Sequence, residues 1–154
     1  MEQHVSRQLP GHYEPKSYWT QRVRQYIGID DLGTVTATGS PAFVNQFIHW
    51  LEERALQYVL PHLPSGGLLL DVGCGYGRWF GMYQDRGIRI VGIDIVHDLA
   101  KRGKALHPEG LFVVGDAKHL PFASGTFDGA ITVKVLQIVP SHQQTNTFVS
   151  GDQK

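Results

Sequence analysis

The sequence predicts an α/β fold: a doubly wound parallel sheet preceded by an N-terminal helical cap. Three observations carry this. From residue 68 onward, short apolar runs alternate with helical or loop segments, the pattern of parallel strands joined by crossovers. Thirteen of the 18 glycines lie between Gly66 and Gly129, where such a chain needs its turns. Three of the runs carry an aspartate within two residues of their end: Asp71, Asp94 and Asp116.

The elements follow in order. Residues 1–14 read as a lead-in. Pro15 opens a helix at its first turn, and Trp19, Val23, Tyr26 and Ile27 keep one apolar stripe at i, i+4, i+7 and i+8. Gly28 to Gly39 reads as a linker. Ser40-Pro41 predicts an N-cap followed by proline at the first helical position. Val44, Phe47, Ile48, Leu51, Ala55, Tyr58 and Val59 then keep helical spacing until Pro61. Leu68 to Val72 reads as a buried strand. A helix is expected from about Arg78 to Arg86, a second strand over Arg89–Ile93, and a helix over Asp98–Leu106 with Lys101, Arg102 and Lys104 on a solvated face. A third strand covers Leu111–Val114, a loop Gly115–Thr126, and a fourth strand Phe127–Val135. Right-handed crossovers place the first strand between the second and the fourth, giving the order 3-2-1-4. The divisions expected are 1–64 for the helical cap, 65–140 for the sheet and 141–154 for a polar tail.

With 154 residues the chain suits one domain. Fourteen Lys plus Arg balance fourteen Asp plus Glu, and neither half departs far from neutrality. A nucleic-acid partner or a membrane surface therefore has no electrostatic support. The single cysteine, Cys74, excludes an internal disulfide and a multi-cysteine zinc site. The eight histidines show no metal-ligand spacing, so no metal is expected. No apolar run approaches the ~20 residues of a membrane span, and the N-terminus lacks a signal-peptide h-region. A cytoplasmic protein is expected.

Ligands of such sheets bind outside the carboxyl ends of the strands, where strand order reverses. Asp71-Val72-Gly73-Cys74-Gly75-Tyr76-Gly77 follows the first strand, Asp94 the second and Asp116 the third. The glycines permit a tight turn and close approach to the backbone. They lead into an expected helix N-terminus that would favour a carboxylate or phosphate; Cys74 reads as a small residue that the turn tolerates, although such a helix end could lower its thiol pKa. Asp94 lies 21 residues after Gly73, about the distance at which an acid reaches ribose hydroxyls. Asp116 suits an adenine amine. A dinucleotide would place its pyrophosphate on this turn, and its usual fingerprint is G-x-G-x-x-G. The spacing here is G-x-G-x-G, and a carboxylate at Asp71 repels a pyrophosphate but welcomes an ammonium. S-adenosylmethionine, with an ammonium, a sulfonium and no phosphate, is the ligand these electrostatics favour.

The segment LLLDVGCGYGRW resembles the first motif of the class I, Rossmann-like S-adenosylmethionine-dependent methyltransferases. IVGIDIV resembles their acidic second motif, and VVGDAKHLPFASGTFDGAITVKVLQIVP their third and fourth, most like the branch that includes ubiquinone and menaquinone biosynthesis methyltransferases. The resemblance implies methyl transfer to a small molecule. It implies that Asp71 and the backbone of Gly73 meet the methionine amino group, that Gly75 and Gly77 leave room for the cofactor, and that Asp94 takes the ribose hydroxyls with Ile95 near the adenine. Asp116 and Ala117 would flank the adenine, and Val133 and Lys134 would lie near the methyl-donor end. Tyr18, Trp19 and Arg22 would form a lid, with Arg22 on the methionine carboxylate.

Plainer roles are expected elsewhere. Asp128 orders the loop before the fourth strand, and Trp19, Trp50 and Trp79 join the core. No general base is assigned; Lys134 and His119 are the nearest candidates. The resembled fold normally continues into a seven-stranded sheet, so the chain is expected to be truncated after the fourth strand. That strand would then be an edge through which copies can associate. Three readings stay open: a fragment of a methyltransferase, a site completed by a partner, or a non-catalytic cofactor-binding domain. A dinucleotide-binding oxidoreductase domain is disfavoured.

Overall fold

The computed structural model describes residues 14–63 and 65–135. Residues 1–13, Pro64 and residues 136–154, which include the polar tail, lie outside the described residues. Three helices come first: α1 (Pro15–Tyr26), α2 (Asp31–Val35) and α3 (Ala42–Val59). They are followed by β1 (Leu68–Val72), α4 (Phe80–Gln84), β2 (Arg89–Asp94), α5 (His97–Leu106), β3 (Leu111–Val114) and β4 (Gly129–Thr132). All four strands run parallel in the order β3-β2-β1-β4, as the crossover argument predicts.

Helix α1 begins at the expected proline. The Glu14 carboxylate caps it by accepting from the amides of Lys16 at 3.1 Å and Ser17 at 2.7 Å. The expected linker 28–39 contains the short helix α2, because Asp30 supplies a cap by accepting from the Gly33 amide at 2.8 Å. Ser40 is not the cap of α3. Pro41 holds that position in an extended conformation, with no side-chain bond. Nor does Pro61 end the helical path: it enters the 3-10 turn Leu60–His62, where its missing N–H is not needed.

The apolar stripe read on α3 faces the wrong way. Phe47, Leu51, Tyr58 and Val59 are exposed, Tyr58 by 79%, whereas Asn45 and Leu56 are buried and His49 and Glu52 are half-buried. Trp50 is also exposed, contrary to its expected core role. The inward polar residues have partners that local periodicity does not reveal. Oδ1 of Asn45 accepts from the Thr36 hydroxyl at 2.6 Å and the Ala37 amide at 3.0 Å. Glu52 pairs with two cations.

Helix α4 spans five residues rather than the expected nine or so. Gly73, Gly75 and Gly77 have φ of 71°, 58° and 78°, which keeps the chain turning as far as Trp79. β4 is likewise shorter than read, four residues that pair with β1. Val133 and Lys134 therefore lie just beyond the strand.

The two sheet faces bury separate clusters. Leu69, Ile90, Trp79, Phe80 and Tyr83 pack with Leu56 and Leu60 on the side of α3 and α4. Leu70, Val72, Val91 and Ile93 pack beneath Phe122 and Phe127 of the long loop. A third cluster, Val23 with Val96 and Leu99, joins α1 to α5 and carries the cap over the carboxyl end of the sheet. Arg102 on α5 strengthens that junction with two bonds to Asp31 Oδ2, at 2.9 and 2.7 Å. Lys104 donates to the carbonyls of Pro108 and Gly110. The α5 cations are thus partly employed in structure, not simply solvated.

Candidate functional site

The strand registers bring Val72, Asp94, Val114 and Thr132 to one edge of the sheet. A cleft of about 200 Å³ opens there, between the strand ends and the helical cap. Of the ten residues expected to hold the cofactor, eight line it: Asp71, Gly73, Gly75, Asp94, Ile95, Asp116, Ala117 and Val133. Lys134 lines it as well.

Asp71 is 2% exposed, and its Oδ2 is buried without a hydrogen-bond partner among the described residues. Burial pushes its carboxyl up to about 7, the nearby Asp94 adds to that, and Arg78 opposes it. Asp94 is also raised by burial, against the backbone amides that favour its ionised form. Its Oδ1 accepts from the Val96 amide and its Oδ2 from the Gly75 amide, both at 2.9 Å. Each oxygen retains a second lone-pair site for a hydroxyl donor. Asp116 is more open. It accepts from the Lys118 amide at 2.9 Å and closes a local turn beside Ala117.

Four amides of the glycine turn are spent inside the protein. The amides of Gly73 and Cys74 donate to the Ile93 carbonyl, that of Gly75 to Asp94 and that of Gly77 to the Cys74 carbonyl. A five-residue helix also carries little dipole. The Cys74 thiol is not lowered either. It is buried, and burial with Asp71 and Asp94 nearby pushes it up.

Two expected site residues lie elsewhere. Gly77 turns away from the cleft, and a Cβ there would meet the Phe112 ring at 2.9 Å. It permits close packing on β3 instead of leaving room for a ligand. Arg22 is used inside the cap: its Nε donates to the Thr34 carbonyl at 2.8 Å, its Nη2 to the Gly33 carbonyl at 3.2 Å, and its guanidinium lies 4.8 Å over the Trp19 ring. Of the three lid candidates, Trp19 lines the cleft and Tyr18 and Arg22 do not.

The arginine that does line the cleft is Arg78, read in the sequence only as a helix start. Its guanidinium lies 4.5 Å over Trp79, whose other stacking partner is His49 at 4.8 Å. Burial, with Arg78 alongside, holds His49 below the usual imidazole range. Trp79 belongs to the core and lines the cleft as well. Asp128 orders the approach to β4 as expected, accepting from the Leu68 amide at 2.7 Å. His119 is outside the cleft lining. Among the described residues no three His, Cys, Asp or Glu side chains are placed to hold a metal ion, and no helix is long and apolar enough to cross a membrane.

The family described as a methyltransferase domain matches residues 70–148. The chain is 36% identical over 73 residues to a tRNA (carboxymethyluridine(34)-5-O)-methyltransferase of Saccharomyces cerevisiae, covering 47% of this chain and 25% of that protein. It is 40% identical over 68 residues to a demethylmenaquinone methyltransferase of Renibacterium salmoninarum, covering 44% and 28%. The chain thus spans about a quarter of the length of these curated relatives. Among solved structures, the magnesium protoporphyrin IX methyltransferase of Synechocystis PCC 6803 superposes with a TM-score of 0.67 at 20% identity, over 91% of this chain and 71% of that one. This likeness shows the fold.

Proposed function

The chain belongs to the methyltransferase-domain family, and from that membership we propose that it binds S-adenosylmethionine in the cleft and transfers its methyl group to a small molecule. The observation that carries the reading is Asp71, a buried carboxyl with an unpartnered oxygen at the wall of the cleft. Such a group calls for a cationic or donor ligand, and the ammonium of an amino-acid moiety supplies one. Gly73 fits the same reading. It lines the same cleft, and its positive φ suits glycine.

When bound, S-adenosylmethionine would supply an electrophilic methyl on a sulfonium: an acceptor's lone pair attacks the methyl carbon, the carbon–sulfur bond breaks and the neutral thioether leaves. Asp71 binds the ammonium. Asp94 offers its remaining lone pairs to the ribose hydroxyls while the Gly75 and Val96 amides hold it in place. Asp116 accepts from the adenine amine, and Ile95 and Ala117 flank the ring. Val133 and Trp79 wall the methyl-donor end and exclude water. These contacts orient the donor, and orientation supplies much of the rate of such a displacement. No residue is assigned as general base, since Lys134 is engaged by Glu52 and His119 stands outside the cleft. In this reading residues 1–64 form the cap, 65–140 the cofactor-binding unit and 141–154 a tail.

The small-molecule acceptor rests on the charge balance of the chain. An RNA acceptor, as in the yeast relative's name, calls for a basic surface that this composition does not supply. Calorimetric titration with S-adenosylmethionine, S-adenosylhomocysteine and NAD tests the cofactor: binding of the first two without NAD is expected, and binding of NAD alone overturns the reading. Methyl transfer from labelled donor to small-molecule or RNA pools then separates the acceptor classes. Tight donor binding with no transfer to either pool would favour a non-catalytic binding domain.

A further inference from the structure

Helix α3 turns polar residues inward, and Glu52 among them has a specific employment. Its Oε2 accepts from Nη2 of Arg78 at 2.5 Å, and its Oε1 lies 2.7 Å from Nζ of Lys134. The Arg78 and Glu52 side chains are 8% and 13% exposed, and that of Lys134 32%. Arg78 and Lys134 line the cleft, whereas Glu52 does not. Seen from a ligand, two cations stand in front and their shared anion stands behind. The guanidinium also lies over the Trp79 ring. Lys134 is also the one non-glycine residue with positive φ among the described residues, at 64°. A lysine side chain is uncommon in that conformation.

We propose that Glu52 is a positioning residue that sets Arg78 and Lys134 as the wall recognising the carboxylate of an α-amino-acid group on the ligand, while Asp71 takes the ammonium. The proposal rests on the reading of the cleft as an S-adenosylmethionine site. A nearly buried guanidinium requires an acceptor, and two carboxylates act on Arg78, those of Glu52 and Asp71. By holding Arg78, Glu52 keeps it off Asp71 and leaves Asp71 Oδ2 for the ligand. With Glu52 neutralised, Arg78 turns to Asp71. That single movement removes the ammonium partner and withdraws the carboxylate partner, so both ends of the amino-acid group lose their contacts.

The test compares two ligands that share the adenine and ribose but differ at this end: S-adenosylhomocysteine, which carries the amino-acid group, and methylthioadenosine, which lacks it. Both are titrated calorimetrically into the full chain and into Glu52→Gln. The variant is expected to bind S-adenosylhomocysteine about tenfold more weakly and methylthioadenosine within about twofold of wild type. Equal losses for both ligands would make Glu52 a mere structural prop and overturn the proposal, as would unchanged or tighter binding of S-adenosylhomocysteine. If Glu52→Gln does not fold, Lys134→Met carries the same contrast from the more exposed end of the triad: a loss confined to S-adenosylhomocysteine supports the proposal, and equal losses or none overturn it. Wild-type protein that binds neither ligand would overturn the S-adenosylmethionine reading itself, and with it this proposal, without reference to any variant.

Discussion

The backbone amide of Gly75 donates to Oδ2 of Asp94 at 2.9 Å, tying the glycine turn after β1 to the acid that ends β2. The other Asp94 oxygen holds the Val96 amide at the entry to α5. Asp94 is therefore both a ligand contact in the proposed function and the clasp of the turn.

Asp94→Ala should accordingly show two losses. Adenosine ligands should bind about 1.5–3 kcal/mol more weakly, the scale of hydrogen bonds to a charged group. Stability should fall by about 1–2 kcal/mol because two buried amides lose their acceptors. S-adenosylhomocysteine and methylthioadenosine should suffer alike, since both carry the ribose, and this separates Asp94 from Glu52. Titration and urea unfolding read the two effects, and an unchanged affinity would refute the ribose role.

Gly73 and Gly75 should respond differently to alanine. Both have positive φ, which costs a side-chain residue roughly 1–2 kcal/mol. At Gly75 an added Cβ meets only Val35, at 3.6 Å, an ordinary contact. At Gly73 it overlaps the Val135 side chain, so the segment after β4 must move. Gly73→Ala should therefore be the more destabilising by urea unfolding, and Gly75→Ala should lose little beyond its strain. Equal losses would show that the segment after β4 does not rest on Gly73.

Much of this architecture was legible because parallel strands are written as continuous apolar runs. Leu68–Val72 and Leu111–Val114 begin and end where those runs do, and Asp94 follows directly from where the second run stops. The strand-end acids were legible for the same reason. What stayed hidden depends on partners distant in sequence. Periodicity places an apolar stripe on α3, but Asn45 and Glu52 are drawn inward by the 36–37 turn and by Arg78 and Lys134. Arg22 and Arg78 could not be ranked from sequence, because both find acceptors in the cap and only the fold shows which of them faces the cleft. The shortness of α4 follows from three left-handed glycines whose φ values composition does not disclose.

Arg22→Ala should test the reassignment of that side chain. With two backbone acceptors released and the Trp19 face uncovered, stability should drop by about 1–2 kcal/mol. Affinity for S-adenosylhomocysteine should stay within about threefold of wild type, since Arg22 does not line the cleft. A loss of affinity confined to S-adenosylhomocysteine and absent for methylthioadenosine would restore the carboxylate role to Arg22.

Asp71 should give stability and ligand affinity opposite pH dependences. Its carboxyl is raised in the folded protein from 3.8 to about 7, chiefly by burial. Between those values the folded state binds a proton that the unfolded state has released. The stability contributed by this group is therefore present below pH 3.8 and is lost as pH rises through about 7. An ammonium ligand requires the ionised carboxylate, so affinity should climb over the upper part of the same range, with proton release on binding below about pH 7. Asp71→Asn should remove both dependences. It should be more stable than wild type at about pH 8, where the wild-type charge is buried, and should bind S-adenosylhomocysteine about tenfold to a hundredfold more weakly there. Titrations in buffers of differing ionisation enthalpy, with urea unfolding at about pH 5 and pH 8, on either side of the folded-state value, read both quantities. An affinity that does not change across that range, or an Asn variant that binds as well as wild type at its upper end, would show that Asp71 does not meet the ammonium.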